Sequence, residues 1–100
     1  MKISICILTY KRLEILKELI KSLKCLQYNE LEIIVVDNHS EDGTGKFVKE
    51  NYPDVIYYCT DRNIGVAARN IGITNAIGEL ISTIDDDISG LNDDHLNDIN

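Results

Sequence analysis

The most informative part of this sequence is Glu79-Leu80-Ile81-Ser82-Thr83-Ile84-Asp85-Asp86-Asp87, where an apolar strand pattern runs directly into three carboxylates. Side chains alternate between the faces of a strand, so Asp85 and Asp87 are expected on one face and Asp86 on the other. Carboxylates packed this closely repel one another unless a cation compensates their charge, and Mg²⁺ and Mn²⁺ prefer such oxygen ligands. The triplet also fits a solvated acidic loop, and the remaining sequence has to distinguish the two.

Similar strand patterns precede this one, and a helical pattern separates each strand from the next. The strands are apolar and rich in β-branched residues, as buried parallel strands are, and they cover residues 3–8, 31–37 and 55–59. Helical spacing or small residues cover residues 13–26, a segment capped by Ser40 or Asp42 that ends near Asn51, and residues 66–76. The order β-α-β-α-β-α-β predicts an α/β fold with a mainly parallel, Rossmann-like sheet and helices on both faces.

Length, charge and cysteine content indicate a single domain and argue against a nucleic-acid-binding, disulfide-rich or membrane-spanning protein. One hundred residues suit a single domain, and the net charge of −7 argues against binding to nucleic acid, which needs a basic surface. Cys6, Cys25 and Cys59 contain no CxxC pair and are odd in number, so we expect small buried or half-buried thiols in a reducing compartment. The apolar run at residues 3–8 is too short for a signal peptide or a membrane span, which predicts a cytoplasmic protein.

Polar residues follow every predicted strand, and in parallel sheets ligands bind beyond the carboxyl ends of the strands. These ends are Thr9-Tyr10, Asp37-Asn38, Thr60-Asp61-Arg62-Asn63 and Asp85-Asp86-Asp87. The mixture suits a ligand with a hydrogen-bonding ring, a ribose-like group and phosphates neutralised through a metal, with Arg69 as an additional cation. The chain has no GxGxxG or GxxxxGK[ST] loop, which disfavours ordinary dinucleotide-binding and Walker-type proteins.

Five motifs resemble those of family 2 glycosyltransferases with the GT-A fold. They are Ile5-Cys6-Ile7-Leu8-Thr9-Tyr10, Val35-Val36-Asp37-Asn38-His39-Ser40-Glu41-Asp42-Gly43-Thr44, Asn63-Ile64-Gly65, Ala68-Arg69-Asn70-Ile71-Gly72 and Ile84-Asp85-Asp86-Asp87. Each motif alone is weak, but the set follows the family's order and spacing to about Ile88. The resemblance implies that residues 1–100 are the N-terminal, nucleotide-sugar-binding part of a GT-A domain.

The resemblance implies a nucleotide diphosphate sugar as donor, usually a UDP-sugar. The residues expected to bind it are Thr9, Tyr10, Asp37, Asn63, Arg69, Asp85 and Asp86. Within this set, Thr9 and Asp37 match positions that hold the base, and Asp37 would accept a hydrogen bond from a ring N–H. Asp85 and Asp87 match the DxD motif and would hold Mn²⁺ or Mg²⁺ on the diphosphate, with Asp85 or Asp86 facing the ribose.

The resemblance also exposes departures and alternatives. Inverting members of the family use an acidic base well downstream of DxD, so the catalytic residue stays unknown within residues 1–100. Asp93, Asp94 and His95 follow DxD too closely and suit a solvated helix start, whereas His39 occupies a turn position where the family often has glycine. The main alternative is a catalytically inactive nucleotide-binding or interaction module.

A receiver-type phosphoacceptor domain ranks last, because the first strand is followed by Thr9-Tyr10 instead of an acidic pair. The sequence leaves open the sugar, the acceptor, peripheral association with a membrane and assembly into a homo-oligomer.

Overall fold

The computed structural model describes residues 1–26 and 28–85, so the predictions on Asp86 and Asp87 lie outside the described residues. Within these residues, four strands form one sheet: β1 at Ile3–Thr9, β2 at Leu31–Asp37, β3 at Ile56–Cys59 and β4 at Leu80–Asp85. All neighbouring strands are parallel, and their order across the sheet is β3-β2-β1-β4. The predicted α/β fold with a parallel sheet is therefore confirmed.

The connecting segments are helical, as predicted, with small differences in their bounds. They comprise α1 at Leu13–Lys24, α2 at Thr44–Asn51, a 3₁₀ helix at Gly65–Ala68 and α3 at Arg69–Asn75. The helix predicted over residues 66–76 thus begins as a 3₁₀ turn, in which the small side chain of Ala68 is fully buried. The strand predicted from Val55 begins one residue later, because the Val55 N–H donates to the Tyr52 carbonyl in the turn after α2.

Apolar side chains pack on both faces of the sheet. On one face, Ile5 and Ile7 of β1 and Val35 of β2 belong to a core with Leu16 and Val48 of the first two helices. On the other face, a second core contains Cys6, Ile34, Val36 and Ala68, with Ile71 packed against it. Right-handed crossovers explain this division, because the chain moves outward from β1 to β3 and then returns past β1 to β4.

The reversal of the chain at β1 also defines where a ligand can bind. β1 lies between β2 and β4, so the connections leave it in opposite directions and open a crevice at its carboxyl end. In the strand register, Thr9 lies beside Asp37, Asp37 beside Cys59, and Leu8 beside Asp85. The four strands therefore end at nearly the same level, which brings the predicted polar ends to one edge.

The cysteines follow the prediction only in part. Cys6 is buried, and its burial, together with the Glu32 carboxylate, raises the pKa of its thiol. Cys25 and Cys59 are exposed, so their predicted burial is wrong: Cys25 follows the last turn of α1, and Cys59 ends the outer strand β3. No helix among residues 1–26 and 28–85 is long and apolar enough to cross a membrane.

Two glycines allow the chain to lie against β1. Gly78 donates its N–H to the hydroxyl of buried Ser4 at 2.8 Å, and a Cβ on Gly78 would lie 2.6 Å from the Ser4 backbone nitrogen. Gly72 of α3 packs on the second core, where a Cβ would lie 3.2 Å from the side chains of Cys6 and Val36. Side chains can shift to make room for a new methyl group more easily than backbone can. Gly72 should therefore tolerate a larger residue better than Gly78 does.

We expect Gly78→Ala to lower the free energy of unfolding by about 2–3 kcal/mol, because the new methyl group would displace the start of β4. Gly72→Ala should cost about 1 kcal/mol or less, since the side chains of Cys6 and Val36 can shift and alanine favours a helix. Urea unfolding of both variants measures the difference. Equal losses would contradict the distinction between backbone and side-chain contacts.

Candidate functional site

Backbone hydrogen bonds join the ends of three strands at the carboxyl edge. The Asn38 N–H donates to the Thr9 carbonyl at 2.9 Å, and the Thr60 N–H donates to the Asp37 carbonyl at 2.9 Å. Thr9 and Asp37 are only 1% and 2% exposed, although both have polar side chains. Two predicted site residues are thus brought together, at the ends of neighbouring strands.

The carboxylate of Asp37 is the centre of a hydrogen-bond network. Its Oδ1 accepts from the Ser40 N–H at 2.9 Å and from the Ser40 hydroxyl at 2.6 Å, and its Oδ2 accepts from the Tyr57 hydroxyl at 2.6 Å. The Ser40 hydroxyl also accepts from the Lys11 N–H at 2.7 Å. A buried charge needs such partners, and here they come from the segment after β2 and from β3, while Lys11, after β1, joins the network through Ser40.

This network changes the expectation for the start of α2. Ser40 does not cap the helix, because its hydroxyl is used by Asp37. Asp42 accepts the N–H of Thr44, the first helical residue, at 3.2 Å, while the residue preceding the helix is Gly43 at φ +86°. Of the two predicted capping residues, Ser40 does not cap the helix, whereas Asp42 supports the first turn from one residue before the N-cap position, Gly43.

Tyr57 and Gly45 are site residues that the sequence analysis missed. Burial and the bond to Asp37 raise the pKa of the Tyr57 hydroxyl, which therefore stays a donor. Gly45 leaves room for the ring, because a Cβ there would lie 2.9 Å from the Tyr57 hydroxyl oxygen. Strand alternation was the available signal, since Tyr57 is paired with Val35, two residues before Asp37 and on the same face.

We expect Tyr57→Phe to lower the free energy of unfolding by about 1–3 kcal/mol, because Oδ2 of the buried Asp37 loses its donor. Tyr58→Phe is the matched control: Tyr58 is the next residue on β3 and packs against the second core. Urea unfolding at neutral pH compares the two variants. A loss as large for Tyr58→Phe would show that the Asp37 contact is not the cause.

His39 holds the loop after β2 against β3. Its Nδ1 lies 2.9 Å from the Thr60 carbonyl oxygen, and its Nε2 lies 2.6 Å from a Glu41 carboxylate oxygen. Both partners are acceptors, and only the protonated ring carries two N–H donors. The Thr60 carbonyl, and next the Glu41 carboxylate, accordingly raise the pKa of His39. Its φ of +71° lies in the left-handed region, which explains why glycine suits this position in the family that the sequence resembles.

The pKa of His39 is higher in the folded protein than its ordinary value of 6.5, so protonated His39 stabilises the fold. We expect this stabilisation to be complete below pH 6.5 and to be lost as pH rises through the pKa of the folded state. His39→Asn is the matched variant, because asparagine tolerates the left-handed region but does not titrate. Unfolding free energies measured from pH 5.5 to 8.5 should converge for the two proteins as pH rises. A constant difference across this range would contradict a protonated His39.

The segment between β3 and α3 contains the next predicted residues. Asn63 is exposed, and its side-chain oxygen accepts the Gly65 N–H at 2.8 Å in a tight turn. Arg69 is half-buried at the first position of α3, directly after the buried Ala68. Beside this segment is a cleft of about 550 Å³, lined by Cys59, Thr60, Asp61, Arg62, Ile64 and Ile71.

The other predicted residues follow β1, end β4 or lie outside the described residues. Tyr10 is partly exposed, and Lys11 Nζ lies 5.2 Å from the centre of its ring. Asp85 is the last residue of β4, beside Leu8, and Asp86 and Asp87 follow outside the described residues. Within residues 1–26 and 28–85, no group of three or more His, Cys, Asp or Glu side chains could hold a metal ion. The predicted metal ligands are thus not tested by this part of the chain.

Comparison with known proteins gives the family. The family model described as glycosyl transferase family 2 matches residues 4–96. The chain belongs to glycosyl transferase family 2. An uncharacterized glycosyltransferase of Bacillus subtilis (strain 168), YwdF, is 40% identical over 90 residues, which are 87% of this chain and 33% of that protein. The chain spans a third or less of the curated relatives it matches first.

Solved structures agree with this assignment. S. aureus TarS 1-349 in complex with UDP has a TM-score of 0.79 and 29% identity, and the match covers 87% of this chain and 28% of that one. The mannosyltransferase PcManGT of Pyrobaculum calidifontis, in complex with GDP-Man and Mn²⁺, has a TM-score of 0.74 and 26% identity, with 86% and 27% covered. The predicted GT-A fold is confirmed, and these two structurally similar proteins were solved as complexes with UDP and with GDP-Man and Mn²⁺.

Proposed function

We propose that this chain binds the nucleotide diphosphate sugar, a UDP-sugar, of an inverting glycosyltransferase. The observation that carries the proposal is the joined carboxyl edge, where buried polar residues end β1 and β2 and another follows β3, beside the point where the chain reverses direction across the sheet. The UDP complex of TarS supports uridine as the nucleoside, because that structure shares this fold over 87% of the chain.

The base is assigned to the side of the edge that contains Thr9 and Asp37. Asp37 is an acceptor with two hydrogen bonds on Oδ1 and one on Oδ2, so Oδ2 has the greater remaining capacity for a ring N–H. Asp37 is 2% exposed, and this contact therefore requires the adjacent loop, which contains Ser40, to shift when the base binds. Tyr10, Asn63 and Arg69 are assigned to the nucleotide sugar from their places along the same edge.

The diphosphate is assigned to the end of β4. Asp85 and Asp87 have the hard oxygen ligands that suit Mn²⁺ or Mg²⁺, and Asp85 or Asp86 would face the ribose. The Mn²⁺ in the PcManGT complex supports a divalent ion in this family. When bound, such an ion would stabilise the negative charge that develops on the departing nucleoside diphosphate.

The transfer step itself is assigned to a longer protein that would contain this chain. The chain spans 33% of YwdF, and residues 1–100 contain no convincing catalytic base for an acceptor hydroxyl. A binding module without transferase activity is therefore the alternative for the chain tested by itself. The cysteines of the described residues are all free, which supports the cytoplasm as the proposed compartment.

Calorimetric titration with UDP tests the proposal, and we expect binding that is strengthened at least tenfold by Mn²⁺. Asp87→Asn should abolish this strengthening, because one metal ligand is lost, while leaving metal-free binding unchanged. Asp94→Asn removes the same charge outside the DxD motif and is the matched control. A folded wild-type chain that bound no UDP in the presence of Mn²⁺ would sink the proposal.

An assay for sugar transfer separates the enzyme from the binding module. The chain and a longer protein that contains it would each be incubated with UDP-sugars and Mn²⁺, and release of UDP would be measured with and without candidate acceptors. Acceptor-dependent release by the longer protein supports the transferase. Binding without release by either protein favours the module.

A further inference from the structure

Asn38 is almost completely buried and connects three segments of the carboxyl edge. It is 4% exposed, and its backbone N–H donates to the Thr9 carbonyl at the end of β1. Its side-chain Oδ1 accepts the Ile64 N–H at 2.8 Å, and its Nδ2 donates to the Gly65 carbonyl at 3.0 Å. A single side chain at the end of β2 thus holds the segment between β3 and α3.

An amide satisfies both backbone partners of this side chain, because it carries one acceptor and one donor. The Ile64 backbone nitrogen can only donate and the Gly65 carbonyl can only accept, which also fixes the orientation of the Asn38 amide. A carboxylate in the same place could still accept the Ile64 N–H. Its second oxygen, however, would lie against the Gly65 carbonyl oxygen, and two acceptors repel each other. An aliphatic side chain would leave both backbone groups unsatisfied.

Two of the residues proposed to bind the nucleotide sugar depend on this segment: Asn63 lies within it, and Arg69 follows it at the start of α3. Asn63 accepts the Gly65 N–H, so Gly65 is bound through both its N–H and its carbonyl. Gly65 has a φ of +64° and begins the 3₁₀ helix, whose last residue, Ala68, is buried next to Arg69. The path from Asn63 to Arg69 is therefore fixed at Gly65 and again at Ala68.

We propose that Asn38 is a positioning residue for the nucleotide sugar. Through Ile64 and Gly65 it holds Asn63 and the 3₁₀ helix that leads to Arg69 beside the end of β2. Thr9 on one side of β2 and Asn63 on the other can then bind the same ligand. This role rests on the proposed function, since it is defined by the ligand that these residues bind. Asn38 acts through the segment and need not touch the ligand itself.

Asn38→Asp tests the role, because the introduced carboxyl regains a donor when it is protonated. At pH 8 we expect UDP affinity in the presence of Mg²⁺ to fall on the order of tenfold, about the value of one unsatisfied buried group. As pH falls to 5 the introduced carboxyl, whose pKa burial raises, gains a proton and can donate to Gly65. The ratio of variant to wild-type affinity should then return toward one.

Two further variants separate positioning from loss of structure. Asn38→Ala should reduce affinity at every pH without recovery, since it has neither donor nor acceptor. Asn51→Asp changes an exposed amide near the end of α2, where its Nδ2 donates to the Phe47 carbonyl, and should leave the ratio near one throughout. A pH-independent ratio for Asn38→Asp, with wild-type binding intact, overturns the role of Asn38. Absence of UDP binding by the wild type overturns the proposed function and this role with it.

A measurement on the wild-type chain keeps the proposal testable if Asn38→Asp does not fold at pH 8. Hydrogen exchange of the Ile64 and Gly65 amides would be followed with and without UDP and Mg²⁺. We expect slower exchange at both amides in the complex, because the ligand and Asn38 hold the same segment. Exchange unchanged by bound UDP overturns the role.

Discussion

A buried negative charge at the end of β2 dominates the physical organisation of this edge. The Asp37 carboxylate is removed from water, and a charge in that position is stable only when donors surround it. Its donors are the backbone and hydroxyl of Ser40 and the hydroxyl of Tyr57. Satisfying one carboxylate thus holds the loop after β2 and adds a side-chain bond between β2 and β3.

The same requirement explains several unusual features nearby. The loop after β2 has left-handed residues at His39, Glu41 and Gly43, a costly arrangement for side chains other than glycine. The bonds from His39 to the Thr60 carbonyl and to Glu41 offset part of that cost. Local strain is therefore maintained by contacts across the edge, as is common where a protein prepares a binding site.

Polar connections at this edge complement an apolar sheet below it. Two cores cover the faces of the strands, and the strand register places the strand ends at nearly the same level. Because the strand ends lie side by side, even a short side chain can reach a neighbouring segment. The Asn38 amide, for example, bonds from the end of β2 to the backbone of Ile64 and Gly65. Two similar solved structures are complexes with UDP and with GDP-Man, and this similarity is the basis for proposing that the edge binds a nucleotide sugar.

The sequence by itself determined the β-α order, the parallel sheet and the polar strand ends, because apolar periodicity and strand alternation are local properties. It also predicted that Thr9 and Asp37 would meet. Only the tertiary structure decided which groups satisfy Asp37 and Asn38, since Tyr57 and Ile64 lie 20 and 26 residues away along the chain. Such partners depend on strand register and on the path of a crossover, and neither is encoded in a local pattern.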